Sequence, residues 1–81
     1  MDDQDVIDRI NELAHEEHSL FERSSEDEGL SAPEHERLKF LEVQLDRCWD
    51  LLHQRRARRN AGLDPEEAHV RDASTVEGYV N

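Results

Sequence analysis

Two runs of apolar residues in this 81-residue chain mirror each other about a single glycine, and that symmetry restricts the fold more than any other feature. Val6, Ile10, Leu13, Glu17 and Leu20 recur at spacings of 4, 3, 4 and 3, whereas Leu38, Leu41, Leu45, Cys48 and Leu52 recur at 3, 4, 3 and 4. Such spacing draws one narrow stripe along each helix, as coiled-coil packing requires. Antiparallel pairing gives the layers Val6 with Leu52, Ile10 with Cys48, Leu13 with Leu45, Glu17 with Leu41 and Leu20 with Leu38, and the residue numbers of every layer total 58. The midpoint of that register falls on Gly29. The pattern therefore predicts an all-α fold, an antiparallel two-helix hairpin with helices over about 3–26 and 32–60 and a bend at 27–31. At 1.5 Å per residue the first helix spans about 36 Å and the second slightly more.

The residues around the bend suit this reading. Gly29 tolerates the left-handed backbone that ends a helix, and Leu30 offers an apolar contact back onto the hairpin. Ser31-Ala32-Pro33-Glu34 has the form of a capping box, with Pro tolerated in the first turn. Asn60-Ala61-Gly62 is a stop signal that closes a hairpin unit over 1–62. In the remaining unit, 63–81, Asp64-Pro65-Glu66-Glu67 starts a short third helix. The ending "STVEGYVN" has no clear period and is expected to be a tail that docks through Val76, Tyr79 and Val80.

Charge narrows the possible partners. Twenty-one acidic against ten basic residues give a net charge of −11, which disfavours direct binding to nucleic acid or to anionic membrane surfaces. The acidic start "MDDQD" and the lack of a long apolar run point to a soluble, cytoplasmic protein, and the single Cys48 agrees with a reducing compartment. The sign is unevenly distributed: residues 1–36 carry a net −11, residues 37–63 a net +4 and residues 64–81 a net −4. The run "RRARR" at 55–59 resembles a nucleic-acid footprint, but the hairpin register places it beside the acidic N-terminus. Asp2, Asp3 and Asp5, with Asp8, are accordingly expected to pair with Arg55, Arg56 and Arg59, an arrangement that also complements both helix dipoles.

Sites of chemistry are scarce. Aligned on Gly29, a calcium loop would need ligands at Ser24, Glu26, Glu28 and His35, and the first and last of these do not fit. Glu12 with His15 and Asp50 with His53 have the i, i+3 spacing of di-metal bundles, and His18 adds a third imidazole. Within one hairpin, however, His53 lies opposite residue 5, about 15 Å from His15 along the axis. A metal-binding bundle is therefore a minor alternative, and no cofactor is expected. Cys48 reads as a small buried seam residue and Trp49 as the edge of the core. No nucleophile–base set or phosphate loop can be assembled, so an enzyme is not expected.

What remains is surface. Phe40, Val43 and Leu51 fall on the face of helix 2 opposite its seam, while Ile7, Ala14 and Phe21 line one edge of helix 1. A second apolar stripe implies a second contact, and a lone two-helix hairpin is marginally stable. The expectation is a non-enzymatic protein that acts through protein–protein contacts, with Phe40, Val43, Leu51, Phe21, Val76 and Tyr79 as its surface and a homodimeric helical bundle as its assembly. A further alternative is an acidic regulator that binds a basic surface, such as that of a nucleic-acid-binding protein, through Asp2, Asp3, Asp5 and Glu26 to Glu28. Glu17, facing Leu41, either reaches the edge of the seam or pairs with a cation such as Arg37 or Lys39.

The stretch "EVQLDRCWDLLHQRRARRNAGLDPEEAHVR", the "EEH" at 16–18 and the "VEGY" at 76–79 resemble a family of small actinobacterial proteins grouped as domain of unknown function 2630. The likeness spans nearly the whole chain, and its Leu-Asp-x-Cys-Trp-Asp-Leu-Leu core is specific. Arg47 stands where the family is expected to have Gln. Membership implies a short, cytosolic helical protein and brings no activity, cofactor or assigned site with it.

Overall fold

The computed structural model describes residues 2–25 and 29–80; the side chains of Tyr79 and Val80 lie outside the described residues, as do Glu26, Asp27 and Glu28. Helix α1 runs Asp3–Ser24 and α2 runs Ala32–Asn60. A single 3₁₀ turn, Pro65–Glu67, follows, and α3 spans Ala73–Val80. The radius of gyration is 15.1 Å, against roughly 12 Å for a compact chain of this length. The hairpin accordingly extends the molecule to 52 × 25 × 15 Å.

Each long helix begins where a side chain takes up orphan amide groups. Asp2 accepts from the Asp5 amide at 2.8 Å while Asp5 accepts from the Asp2 amide at 3.2 Å. Ser31 and Glu34 make the equivalent exchange at the start of α2, at 3.3 and 3.0 Å. Helix α1 stops at Ser24, two residues before the expected end, and the hydroxyls of Ser24 and Ser25 donate back to the carbonyls of Phe21 and Glu22 at 2.7 Å. Gly29 has φ +64°. Arg23, at the end of α1, ion-pairs with the capping residue Glu34 of α2 and so fastens the two sides of the bend together. At the far end Gly62 has φ +77°, and the amides of Gly62 and Leu63 donate to the carbonyls of Arg59 and Arg58, the Schellman arrangement that stops a helix.

The core between the long helices is aliphatic. Val6, Ile10, Leu13 and Leu20 of α1 and Leu41, Leu45 and Leu52 of α2 are buried, with Leu38 and Cys48 half-buried beside them. These are the seam residues read from the sequence. Asp3 bonds Arg55, a pair whose numbers again total 58, so an ion pair reports the same register.

The chain after Gly62 departs from expectation in two ways. The acid-rich turn at 64–67 is one 3₁₀ turn instead of a helix, capped by the Asp64 carboxylate on the Glu66 amide at 2.9 Å. The ending expected to be an irregular tail forms α3, started by Asp72, whose carboxylate accepts from the Thr75 amide and the Ser74 hydroxyl, both at 2.8 Å. Between them, residues 63–72 return antiparallel along α2, held by side chains of α2 bonded to their carbonyls. Arg58 donates to Asp64 O at 2.6 Å, Arg55 to Pro65 O at 3.2 Å, Gln54 to His69 O at 2.9 Å and Arg47 to Arg71 O at 3.0 Å. The return ends with an Arg71–Asp50 ion pair, after which α3 buries Val76 to 2% exposure.

Two substitutions separate core from surface. Leu41→Ala, at a fully buried position, is expected to cost about 2–5 kcal/mol, a large part of the roughly 4–12 kcal/mol available to a chain this size. Phe40→Ala, one residue away and 47% exposed, is expected to change stability by about 0.5 kcal/mol or less; urea melts followed by circular dichroism read both. Replacing Arg55 by Lys keeps the charge and loses the planar fork that reaches three acceptors. Faster amide exchange over residues 63–72 is the expected result, with the α1–α2 seam less affected.

Candidate interaction surface

The chain contains four aromatic residues, and the three whose side chains are described point outward. Phe21 is 48%, Phe40 47% and Trp49 45% exposed. Trp49, expected at the core edge, instead stacks at a tilt on His53, with ring centroids 6.3 Å apart. Phe40 lies under the Arg37 guanidinium, 5.1 Å from its ring centre, and Arg37 in turn grips Glu16 of α1 at 2.5 and 2.8 Å.

The rest of the expected apolar surface lies elsewhere. Leu51 is buried, because the return segment packs over the face of α2 opposite α1. Val76 is buried as the anchor of α3, and Val43 is half-buried. Tyr79 falls outside the described side chains. Leu51, Arg55, Glu66, Ala68, His69 and Val70 line a half-open cleft of about 150 Å³, smaller than the roughly 300–1,000 Å³ of a typical small-molecule site.

The basic run is consumed internally. Arg55, only 4% exposed, donates to Asp3 at 2.7 Å, to Glu66 at 3.0 Å and to the carbonyl of Pro65. Arg59 donates to the other oxygen of Asp3 at 2.8 Å, and Arg58 reaches Glu67 at 2.6 Å. These hydrogen bonds from Arg55 and Arg59 hold the Asp3 carboxyl below the usual range. Asp2 and Asp5 form no ion pair with arginine among the described residues; they are occupied by the helix cap, and Asp8 accepts from Gln4. Arg56 is exposed and forms no ion pair among the described residues.

The candidate metal ligands are likewise dispersed. Glu12 pairs with Arg9 at 3.4 Å, His18 with Glu22 at 3.0 Å, and His15 is exposed on α1. Asp50 is taken by Arg71 and Gln54, with the Arg71 bond chiefly lowering its pKa, while His53 lies against Trp49. Among the described residues no group of three or more His, Cys, Asp or Glu could hold a metal ion. Burial pushes the Cys48 thiol up, away from the thiolate form that makes cysteine reactive.

One cluster was not foreseen. Among the described residues Glu17 forms no ion pair: its partner candidate Arg37 holds Glu16, and charged neighbours of Glu17 are Glu42 and Asp46 of α2. Desolvation and then these two carboxylates raise its pKa. Glu77 of α3 meets Asp46 and Glu42 from another side and is raised by desolvation and by its contact with Asp46. The anomalous Glu17 in an otherwise apolar seam was the available signal; Glu42 and Asp46 lie beside it through the α1–α2 register, and only Glu77 depends on where α3 docks.

The family described as "Protein of unknown function (DUF2630)" matches residues 2–81. The chain belongs to that family. The resemblance read from the Cys48-Trp49 core and its flanks is thus borne out over nearly the whole chain. Similar to it are uncharacterized proteins of Mycobacterium bovis and of two Mycobacterium tuberculosis strains, each 43% identical over 77 residues, covering 95% of this chain and 88% of theirs. No solved structure matches. Among the described residues no helix of this family member is long and apolar enough to cross a membrane.

The carboxylates divide into two groups with opposite pH signatures. Asp3, Glu16, Glu34, Asp50 and Asp72 are lowered by hydrogen bonds, so their support is present above the ordinary carboxylate pKa and is lost as pH falls through their depressed values. Glu17 and Glu77 are raised, so they destabilise the fold when ionised and stop doing so as pH falls through their elevated values. Stability is therefore expected to peak near the ordinary carboxylate pKa of about 4 to 5 and to decline on both sides. Glu17→Gln should raise the urea midpoint at pH 7 and flatten the alkaline side of that profile; an unchanged midpoint would mean that the glutamate carries no electrostatic cost.

Proposed function

We propose that this protein is a non-enzymatic interaction module that acts in the cytoplasm by presenting an aromatic surface on a rigid helical hairpin. The observation that carries this reading is the placement of the aromatic residues. A small chain gains most from burying them, since each can remove about 150–250 Å² from water, yet Phe21, Phe40 and Trp49 are nearly half exposed around a largely aliphatic seam. Trp is also the residue type most enriched among energetic anchors of protein interfaces. Rigidity favours the same reading, because the caps and the Arg23–Glu34 and Arg37–Glu16 pairs fix the hairpin on which these rings stand. The thiol of Cys48 suits a reducing compartment.

Site-specific photocrosslinking tests the proposal. A photoreactive residue is placed in turn at Trp49, Phe40 and Glu67 in cells that naturally make the protein, Glu67 being held on the return segment by Arg58. Discrete adducts at Trp49 or Phe40, absent at Glu67, are the expected result, and an adduct of twice the chain mass identifies self-association. Absence of adducts, or an identical diffuse pattern at all three positions, overturns the reading.

A further inference from the structure

The exposed tryptophan belongs to a stripe whose chemistry specifies a partner. On α2, Glu42, Asp46, Trp49 and His53 follow at i, i+4, i+7 and i+11 and therefore share one side of the helix. On α1, Glu17 stands one turn before the exposed Phe21. Glu17 stands level with Leu41 in the register that the Asp3–Arg55 pair reports, one residue from Glu42, so the two rows run side by side along one flank of the hairpin. The stripe is aromatic at each end, with Phe21 towards the bend and Trp49 towards the other end, and acidic between them. From Glu42 to His53 it extends about 16 Å, three turns of helix.

Charge decides what can occupy it. Arg9, Arg23, Arg37, Arg55, Arg58, Arg59 and Arg71 are all in ion pairs with acids elsewhere in the chain, and Arg47 is spent on the carbonyl of Arg71. Glu17, Glu42 and Asp46 have no ion pair among the described residues, and Glu77 of α3 adds a fourth carboxylate beside them. A second copy docked through this flank would carry the same carboxylates with it, and an anionic membrane would be repelled.

We propose that Phe21, Glu17, Glu42, Asp46, Trp49 and His53 form a docking surface for a basic amphipathic helix of a different protein, whose Lys or Arg residues meet the central carboxylates and whose apolar residues meet the rings. This identification rests on reading the protein as an interaction module and adds the chemistry of the partner. In the hairpin register Phe21 and Trp49 stand about 18 Å apart along the axis, so a helix laid along the flank reaches both rings with apolar anchors about three turns apart, at i and i+11. Neutralising carboxylates that repel each other in the free protein favours a cationic ligand over any neutral one.

The test uses the full chain and a synthetic, tryptophan-free, 14-residue Leu/Lys peptide patterned as an amphipathic helix, with a Leu/Glu isomer as control. Trp49 is the sole tryptophan, so its emission reports on the site directly. The Leu/Lys peptide is expected to shift that emission to shorter wavelength with saturable one-to-one binding, and the Leu/Glu isomer is not. The triple substitution Glu17→Gln, Glu42→Gln, Asp46→Asn is expected to weaken binding by about tenfold or more, whereas Asp8→Asn, Glu22→Gln, Glu36→Gln, which removes the same charge elsewhere, weakens it by less than about threefold. Equal weakening by both triples would show diffuse attraction to an acidic protein and overturn the proposal. An emission shift produced by raising the concentration of the protein alone would identify a second copy as the occupant and overturn it as well. If the peptide leaves Trp49 unmoved while photocrosslinking at Trp49 still gives a discrete adduct, the basic-helix partner is wrong and the interaction reading survives; loss of both removes both.

Discussion

Arg55 is the point at which the separate parts of this protein become one structure. Its guanidinium is buried where the start of α1, the last turns of α2 and the return segment converge, and it supplies a donor to Asp3, to Glu66 and to the carbonyl of Pro65. A planar fork with five donors can serve three acceptors from two chain segments at once, whereas an ammonium group behaves as a point charge. The aliphatic seam brings the long helices together, but it does not by itself determine where the last nineteen residues go. That choice is made by hydrogen bonds radiating from one side of α2.

The acidic composition therefore has a different meaning from the one a net charge suggests. Most basic side chains act inside the molecule, as clamps across the bend, along the hairpin and onto the returning chain. The N-terminal aspartates, which look like bait for a cationic partner, are engaged in capping and in binding Arg55 and Arg59. Four of the carboxylates without an ion pair among the described residues, Glu17, Glu42, Asp46 and Glu77, gather along one flank of α2, between α1 on one side and α3 on the other. The cost of keeping them there is borne by an otherwise well-packed hairpin.

The hairpin could be read from the sequence because two independent signals coincided: apolar periodicity set the register, and Gly29 occupied its midpoint. Leu51 was assigned outward because periodicity treats α2 as having one neighbour, and it has two, whereas Val76 was read as a docking residue of the tail and is buried in α3. The second neighbour left little apolar trace. Residues 63–72 are joined to α2 largely through their own carbonyls, which every residue type possesses, and otherwise by Glu66, Glu67 and Arg71, whose charge alone does not name a partner. The cap at Asp72 with Thr75 three residues on was a readable start for α3, but Thr75, Val76 and Gly78 are poor helix formers and obscured it. Of the candidate surface, Phe21 and Phe40 were visible as residues off the seam; Trp49 was not, since flanking a seam and being covered by it are indistinguishable in one dimension.

That mode of attachment also places the inheritance of the fold unequally between the two partners. The donors that hold the return reside in Arg47, Gln54, Arg55 and Arg58, whereas the acceptors are mostly backbone. Substitution at His69 leaves its carbonyl acceptor in place, whereas Glu66, Glu67 and Arg71 also hold α2 through their side chains. The corresponding face of α2 has no such latitude, because each donor there is specified by its own codon. Tolerance of substitution in the return is therefore confined to the positions whose side chains the clamps do not grip.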